Sequence, residues 1–446
     1  MNEKNNLTDG SVGKILVMFA LPYLLSCFMQ TFYGMTDLFV VGMYNGSDMT
    51  TAVSIGSQVT HMLTVIIVGL AMGSVVFIGQ AVGAGNRKAA EKSIGTTSVF
   101  FLIFSVVLTV VLLLLTDRIV SVMMTPPEAA SATRAYLSIC FAGIPFITAY
   151  NVISSIFRGL GDSKRPMYLV GIACVVNIIL DFVFIGGLKL GALGAALGTV
   201  SGQAVSVIFS LFVLCRSKLG LNIQRSDFRI DSNILCKILE VGIPVSVQDG
   251  LIQVSFVVIT VIANSRGLTF SASVGIVEKL IGFMFLVPSA FLSAISAITA
   301  QNMGAGKPQR ARQSLRYGLT ITVLWGLLCC TFCQAFPQTL VGLFTKDTAV
   351  LSAGCDYLRS YSFDCIFAAI HFCFSGYFCG DQKSLISFIH NIVSIILVRI
   401  PGAYLAGVLF PSTLYPMGWA APLGSVLSAL ICVFFYIYCR KCDKKR

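Results

Sequence analysis

Charge is what this chain has least of. Asp, Glu, Lys and Arg make up 11% of its 446 residues, where a soluble globular protein carries about a quarter. With 56% hydrophobic residues and a mean hydropathy of +0.86, that deficit excludes a soluble domain. Histidine is scarcer still, with three residues. His61, His371 and His390 are expected to form no cluster and to be packed or interfacial. No His/Asp or metal-ligand set gathers near one face, so the chain reads as neither an enzyme nor a cofactor protein. The Gly-Ala-Gly turns at 83–85 and 304–306 have no strand before them and no Gly-Lys-Ser/Thr after, which excludes a phosphate loop. The two Cys-x-x-Cys spacings, Cys330–Cys333 and Cys439–Cys442, lack companion ligands, so the fifteen scattered cysteines read as free thiols.

What is present is a series of apolar runs. Taking about 20 apolar residues per crossing, twelve spans fall at roughly 15–41, 52–78, 93–115, 133–157, 166–185, 191–215, 236–263, 270–299, 314–336, 355–378, 384–408 and 417–439. The polar segment Met1–Lys14 precedes a run too long for a signal peptide, so that run is read as the first, uncleaved span. The expected fold is an all-α polytopic membrane protein. With the N-terminus inside, the inner segments hold 23 Lys and Arg and the outer segments six. Positive inner loops place both termini in the cytoplasm of a cell inner membrane. The net charge of +12 lies almost wholly in those loops. It points to membrane lipids as the chain's surroundings and away from nucleic acid, and a monomer is expected.

The chain also repeats itself. Gln80-Ala-Val-Gly-Ala-Gly-Asn86 recurs as Gln301-Asn-Met-Gly-Ala-Gly-Lys307, an offset of 221. Tyr136-Leu137 recurs as Tyr357-Leu358, Leu21-Pro22 as Ile243-Pro244, and Leu197-Gly-Thr-Val200 as Leu423-Gly-Ser-Val426. Phe157-Arg-Gly-Leu-Gly-Asp162 becomes Phe378-Cys-Gly-Asp381, read as a loss of two residues. Two six-span lobes, 1–215 and 235–446, are therefore expected around a basic cytoplasmic linker at 216–234. Parallel repeats with a central seam suit an alternating-access carrier.

One polar pair stands out inside an apolar run. In Val175-Val-Asn-Ile-Ile-Leu-Asp-Phe-Val-Phe-Ile185, Asn177 and Asp181 sit four apart and share a helix face. A carboxylate at the bilayer centre costs about 3 kcal/mol or more, so it is a functional candidate in search of a partner.

At Pro22, the two Gly-Ala-Gly loops, Arg158-Gly-Leu-Gly-Asp162 and Gly191-Ala-Leu-Gly-Ala-Ala-Leu-Gly198, the chain resembles the multidrug and toxic compound extrusion (MATE) transporters over essentially its whole length. The resemblance implies twelve helices in two lobes forming a V. It also implies antiport: efflux of amphiphilic organic cations, xenobiotics among them, driven by inward proton or sodium movement. It is similar to the branch that keeps its coupling carboxylates in the first lobe, a pattern met here by Asp37, Asn177, Asp181 and Thr199. The other branch's acid in the seventh helix is not matched, since Ile252 and Gln253 stand near that place.

Depth supports the grouping. Asp181 lies about 22 Å along its helix from the inner end, and Asp37 and Thr199 fall in the same outer half. Two close carboxylates in a dry site take up a proton or share a cation, and oxygen from Asn177 and Thr199 suits sodium. The substrate cavity is expected to draw on Gln30 and Tyr33, in one stripe with Asp37, and on Asn151, Glu278 and Asp364. Tyr136 reads equally as cavity lining or as an interfacial anchor. Pro22 is the expected bend of the first helix. An ion pair of Arg399 with an acid and a functional role for the second-lobe charges remain equal alternatives. A lipid-linked oligosaccharide flippase of the same superfamily is the competing reading. It would need a cationic cavity, whereas the spans hold five acids against Lys279 and Arg399.

Overall fold

The computed structural model describes residues 7–216, 221 and 223–443. Lys4, Lys218 and the basic residues at 444–446, which entered the orientation reading, lie outside them. Every regular element among the described residues is helical. The first half comprises α1 (Val12–Tyr44), α2 (Ser47–Gly83), α3 (Arg87–Val122), α4 (Pro127–Ala142), α5 (Ile144–Gly159), α6 (Lys164–Asp181) and α7 (Gly191–Arg216). The second runs through α8 (Ser232–Asn264), α9 (Leu268–Met284), α10 (Leu286–Gly304), α11 (Pro308–Ala335), α12 (Pro337–Gly342), α13 (Thr348–Tyr361), α14 (Asp364–Gly380), α15 (Ser384–Ser394), α16 (Ile400–Leu409), α17 (Tyr415–Gly418) and α18 (Ala420–Asp443). Among the described residues, ten helical stretches can cross a membrane by length and composition, or twelve when each of two bent pairs counts as one span.

Those bent pairs are the fourth and tenth spans, expected as single helices. α4 and α5 meet at 48°, α13 and α14 at 45°. Pro145 explains the first break: it lacks an N–H, and its ring would meet the carbonyl four residues back in a continued helix. The second break carries no proline. It leaves Asp364 at the first position of α14, where the helix dipole favours negative charge.

The repeat is visible as chemistry in the turns. Asn86 N–H donates to the Ala81 carbonyl at 3.0 Å and Lys307 N–H to that of Asn302 at 2.8 Å, both closing around a glycine at φ +69°, Gly85 and Gly306. These are Schellman ends, in which a left-handed residue satisfies the last carbonyls of the helix. The third repeated turn corrects the sequence reading. Asp162 N–H bonds the Phe157 carbonyl and Lys383 N–H that of Phe378, each at 2.8 Å. The two turns therefore have equal length and no residues are lost. Gly161 at φ +85° is matched by Gln382 at φ +58°; the geometry was kept while the glycine was not. A left-handed non-glycine residue costs about 1–2 kcal/mol, partly offset by the chain entropy that a glycine adds to the unfolded state. Gln382→Gly is expected to raise the melting temperature of the purified protein by about 1–2 °C, and Gly161→Gln to lower it. A fall with Gln382→Gly would show that its side chain contributes more than its backbone costs.

Packing divides the chain into two compact units whose limits differ from the repeat-based lobes. One holds Leu21–Gly242, the other Thr8–Ala20 and the chain from Ile243 onward. α1 and α8 each change units beside a proline, Pro22 and Pro244, and both remain helical through it. The cause is close contact between backbones. In the first unit Gly73 lies against the Ile238 carbonyl and Gly242 against that of Leu70, both too near for any Cβ. The end of the expected linker also packs here, with Thr96 Oγ1 donating to the Arg229 carbonyl at 3.0 Å. In the second unit Lys307 Nζ meets Asp9 Oδ1 at 2.7 Å, Arg310 Nη1 donates to the Gly10 carbonyl at 2.9 Å, and Gly13 rests on the Tyr317 ring. Small residues let membrane helices pack at this range.

Tyr136 belongs to the core of the first unit. It is 2% exposed and fills the recess over Gly56, where a Cβ would overlap its ring. It is neither cavity lining nor an interfacial anchor.

Candidate functional site

Three elements of the first unit build the site. Asp37 comes from the C-terminal third of α1, Asn177 and Asp181 from the end of α6, and Thr199 from α7. α6 stops at Asp181 because the chain then widens into a π-helical segment, Phe182–Gly187, with Leu188 N–H reaching back to the Val183 carbonyl at 2.9 Å. Single π turns inside α-helices occur frequently at functional sites. α7 approaches α6 and the π-helical segment along Gly194, Gly198 and Gly202, one every four residues, Gly194 against Phe184 and the other two against α6. A Cβ on Gly202 would stand 3.0 Å from the Ala173 carbonyl, and one on Gly198 would overlap Asp181 Oδ1. The glycines are thus what lets Asp181 lie under α7.

The four polar groups that the resemblance singled out lie together. Thr199 Oγ1 donates to Asp37 Oδ2 at 3.0 Å. The Asn177 amide satisfies both its ends in one orientation: its nitrogen donates to Asp37 Oδ1 at 3.0 Å and its oxygen accepts the Thr199 N–H at 3.2 Å. Asp37 is 4% exposed, Asn177 2% and Asp181 0%. Asp181 lies beside the Asp37 carboxyl, yet neither of its buried oxygens has a hydrogen-bond partner. The two facts agree, because ionised carboxylates only accept and cannot satisfy each other. A shared proton or a bridging hard cation supplies the missing donor or charge.

The other expected residues are placed less centrally. Tyr33 Oη accepts from Gln203 Nε2 at 3.5 Å within electrostatic reach of Asp37, and Gln30, further along α1, pairs with Tyr150. Asn151 turns back onto its own helix, Nδ2 donating to the Ile147 carbonyl at 2.8 Å. Pro22 sits inside a continuous α1. Glu278 and Asp364 belong to the second unit. Glu278 Oε2 accepts from Thr260 at 3.5 Å, and Asp364 Oδ2 lies 3.7 Å from Arg399 Nη2, so the Arg399 ion pair is present.

His371 and His390, expected to form no cluster, are a pair: their rings lie 5.7 Å apart, centroid to centroid. Serines from α14 and α18 hold them: His390 Nε2 pairs with Ser375 Oγ at 2.9 Å and Nδ1 with Ser428 Oγ at 3.3 Å, and His371 Nε2 with Ser425 Oγ at 3.4 Å. Their 19-residue separation conceals a meeting of two neighbouring antiparallel helices. Among the described residues no group of three or more His, Cys, Asp and Glu is placed to hold a metal ion, and the described cysteines are free thiols. Gly198, Gly202 and the π segment were not read as parts of the site. The four-residue glycine spacing is a signal from which the first two were legible.

Comparison with known proteins places this geometry. The MatE family model matches residues 22–183 and again 244–405, each match opening on one of the repeated prolines. The probable multidrug resistance protein YoeA of Bacillus subtilis is 28% identical over 348 residues, 76% of this chain and 75% of its own. An FAD transporter of Shewanella oneidensis is 23% identical over 457 residues, 99% of this chain and 98% of its own. A solved structure of a multidrug resistance MATE family transporter in an outward-facing conformation matches with a TM-score of 0.92 at 22% identity, covering all of both chains, and shows the common fold. With both of its repeats matched and its helices suited to crossing a membrane, the chain belongs to the MATE family and is a polytopic membrane transporter.

Proposed function

We propose that the protein is a secondary active antiporter that exports amphiphilic organic cations by alternating access, coupled to proton or sodium entry at Asp37, Asn177, Asp181 and Thr199. Both termini would face the cytoplasm. The observation that carries the reading is Asp181, wholly buried with two unpartnered oxygens beside a second carboxylate. Such a group is costly unless something cationic visits it. An ion drives a conformational change only through different affinity for the two states, and an acid pair whose spacing alters between them provides that difference.

The test is ethidium efflux in everted vesicles with a pH gradient and a sodium gradient imposed separately. One of the two is expected to drive transport; if neither does, the antiport reading fails. The FAD transporter among the relatives favours a second cargo class, an anionic dinucleotide. Competition by FAD in the same vesicles tests it: unlabelled FAD is expected to leave ethidium efflux unchanged, and inhibition would transfer the proposal to dinucleotides.

A further inference from the structure

The second unit holds its own buried charges: Glu278 on α9, Asp364 at the start of α14, and Arg399 closing the π-helical segment Ile395–Arg399. Asp364 is 1% exposed. Its Oδ2 stands 3.7 Å from Arg399 Nη2, while Oδ1 has no partner, and neither has Glu278 Oε1 nor Arg399 Nε. Arg399 Nη2 instead donates to Tyr361 Oη at 2.8 Å, and the guanidinium lies 5.0 Å from the centroid of the Phe256 ring. A guanidinium and a carboxylate that grip each other form parallel bonds near 2.8 Å. At 3.7 Å Arg399 supplies charge to Asp364 without closing that geometry, Glu278 lies within its electrostatic reach, and the Phe256 face gives the cation a second resting surface.

The two units can be compared through their repeat. Gly198 and Gly424 are partners in the repeated Leu-Gly-Thr/Ser-Val segment. Gly198 opens space for Asp181, whereas Gly424 faces Ser394 Oγ and the Arg399 Cβ. Behind equivalent glycines, one lobe presents a carboxylate to another carboxylate with no base, and the other presents a base to two carboxylates.

We propose that Arg399 is the resident cation of the second lobe: tethered to the chain, it occupies a small monovalent-cation site formed by Asp364 and Glu278, which the lobe would otherwise have to fill from solution. This inference rests on the reading of Asp37 and Asp181 as the ion-coupling pair. It explains why a chain with acids in both lobes needs an external ion in one only. Removal of the guanidinium takes the tethered cation from two buried acids and exposes a site for sodium.

The experiment uses the full chain with Asp181→Asn in every sample, purified in detergent and titrated with sodium chloride against choline chloride at constant ionic strength. Trp419 stacks on Phe363 at 4.9 Å, next in sequence to Asp364, so intrinsic fluorescence reports on the site, and melting temperature is read in parallel. The parent is expected to show no sodium response that depends on Asp364. Arg399→Gln is expected to gain a saturable one, with a melting temperature raised by sodium and not by choline. Arg399→Lys is expected to show none, and adding Asp364→Asn to Arg399→Gln to remove it. A folded Arg399→Gln protein without a sodium response overturns the proposal. So does a parent whose sodium response is lost with Asp364→Asn, a comparison that decides the matter even if Arg399→Gln does not fold. Failure of the first-lobe reading is seen separately, as undiminished ion-driven efflux in the Asp181→Asn protein.

Discussion

Asp181→Asn is expected to abolish ion-driven ethidium efflux from everted vesicles while raising the melting temperature of the protein. The opposite signs follow from one fact. Asp181 is fully buried and both its oxygens lack partners, so its charge burdens the folded state. An asparagine of the same shape carries no charge, and its amide can donate to Asp37. The same change removes half of the pair that receives the ion. Transport is expected to fall more than about tenfold, corresponding to roughly 1.4 kcal/mol or more of ion-binding free energy. Asp37→Asn is expected to uncouple as well but without the gain in stability. Asp37 already accepts bonds from Thr199 and Asn177, and an amide nitrogen facing those donors leaves one unmet. Undiminished transport in both variants would remove the coupling site from the first lobe. A lower melting temperature for Asp181→Asn would mean that the buried acid is held by a partner in the resting state.

The second large effect is expected from a residue with no chemistry of its own. Gly198→Val places a side chain where Asp181 Oδ1 now lies, so α7 must retreat from α6 or Asp181 must leave its position beside Asp37. Overpacking of this kind costs about 1–3 kcal/mol, and here the displaced atom belongs to the ion site. Both a lower melting temperature and loss of coupling are expected. Gly34→Ala, where an added Cβ has nothing within 4 Å, is the control: it should leave coupling intact and should not lower the melting temperature, since alanine is favoured over glycine inside a helix. If Gly198→Val transports normally with its pH or sodium dependence intact, the contact between α6 and α7 does not position the acid pair.

Much of this was legible in the sequence because it depends on local composition. Apolar length predicted the crossings, since each span must satisfy its backbone internally. The near-periodic offset of 221 revealed the duplication, and the repeated Schellman turns show why it survived: each end needs one left-handed residue at one place. The cost of an intramembrane carboxylate singled out Asp181 and Asn177; the resemblance supplied Asp37 and Thr199, and their depth along the helices agreed with it. The misreadings share a cause. Tyr136 reads equally as cavity lining or interfacial anchor in the sequence because amphipathic rings take both places, and Gly56 on a neighbouring helix makes the recess that buries it. His371 and His390 seemed unrelated because helices adjacent in space pair residues according to their register, which hydropathy does not record.

By itself, then, the sequence determined that this is an all-helical, internally duplicated membrane protein with a buried acid in its first half. Those properties follow from transfer free energies that each residue carries alone. Only the tertiary structure decided that α1 and α8 change partners beside Pro22 and Pro244, that Asp181 faces Asp37 without a donor, and that Arg399 sits loosely between Asp364 and the Phe256 ring. Each of these depends on how closely two backbones approach. That distance is set jointly by glycines and side chains far apart in the chain, and no single segment specifies it.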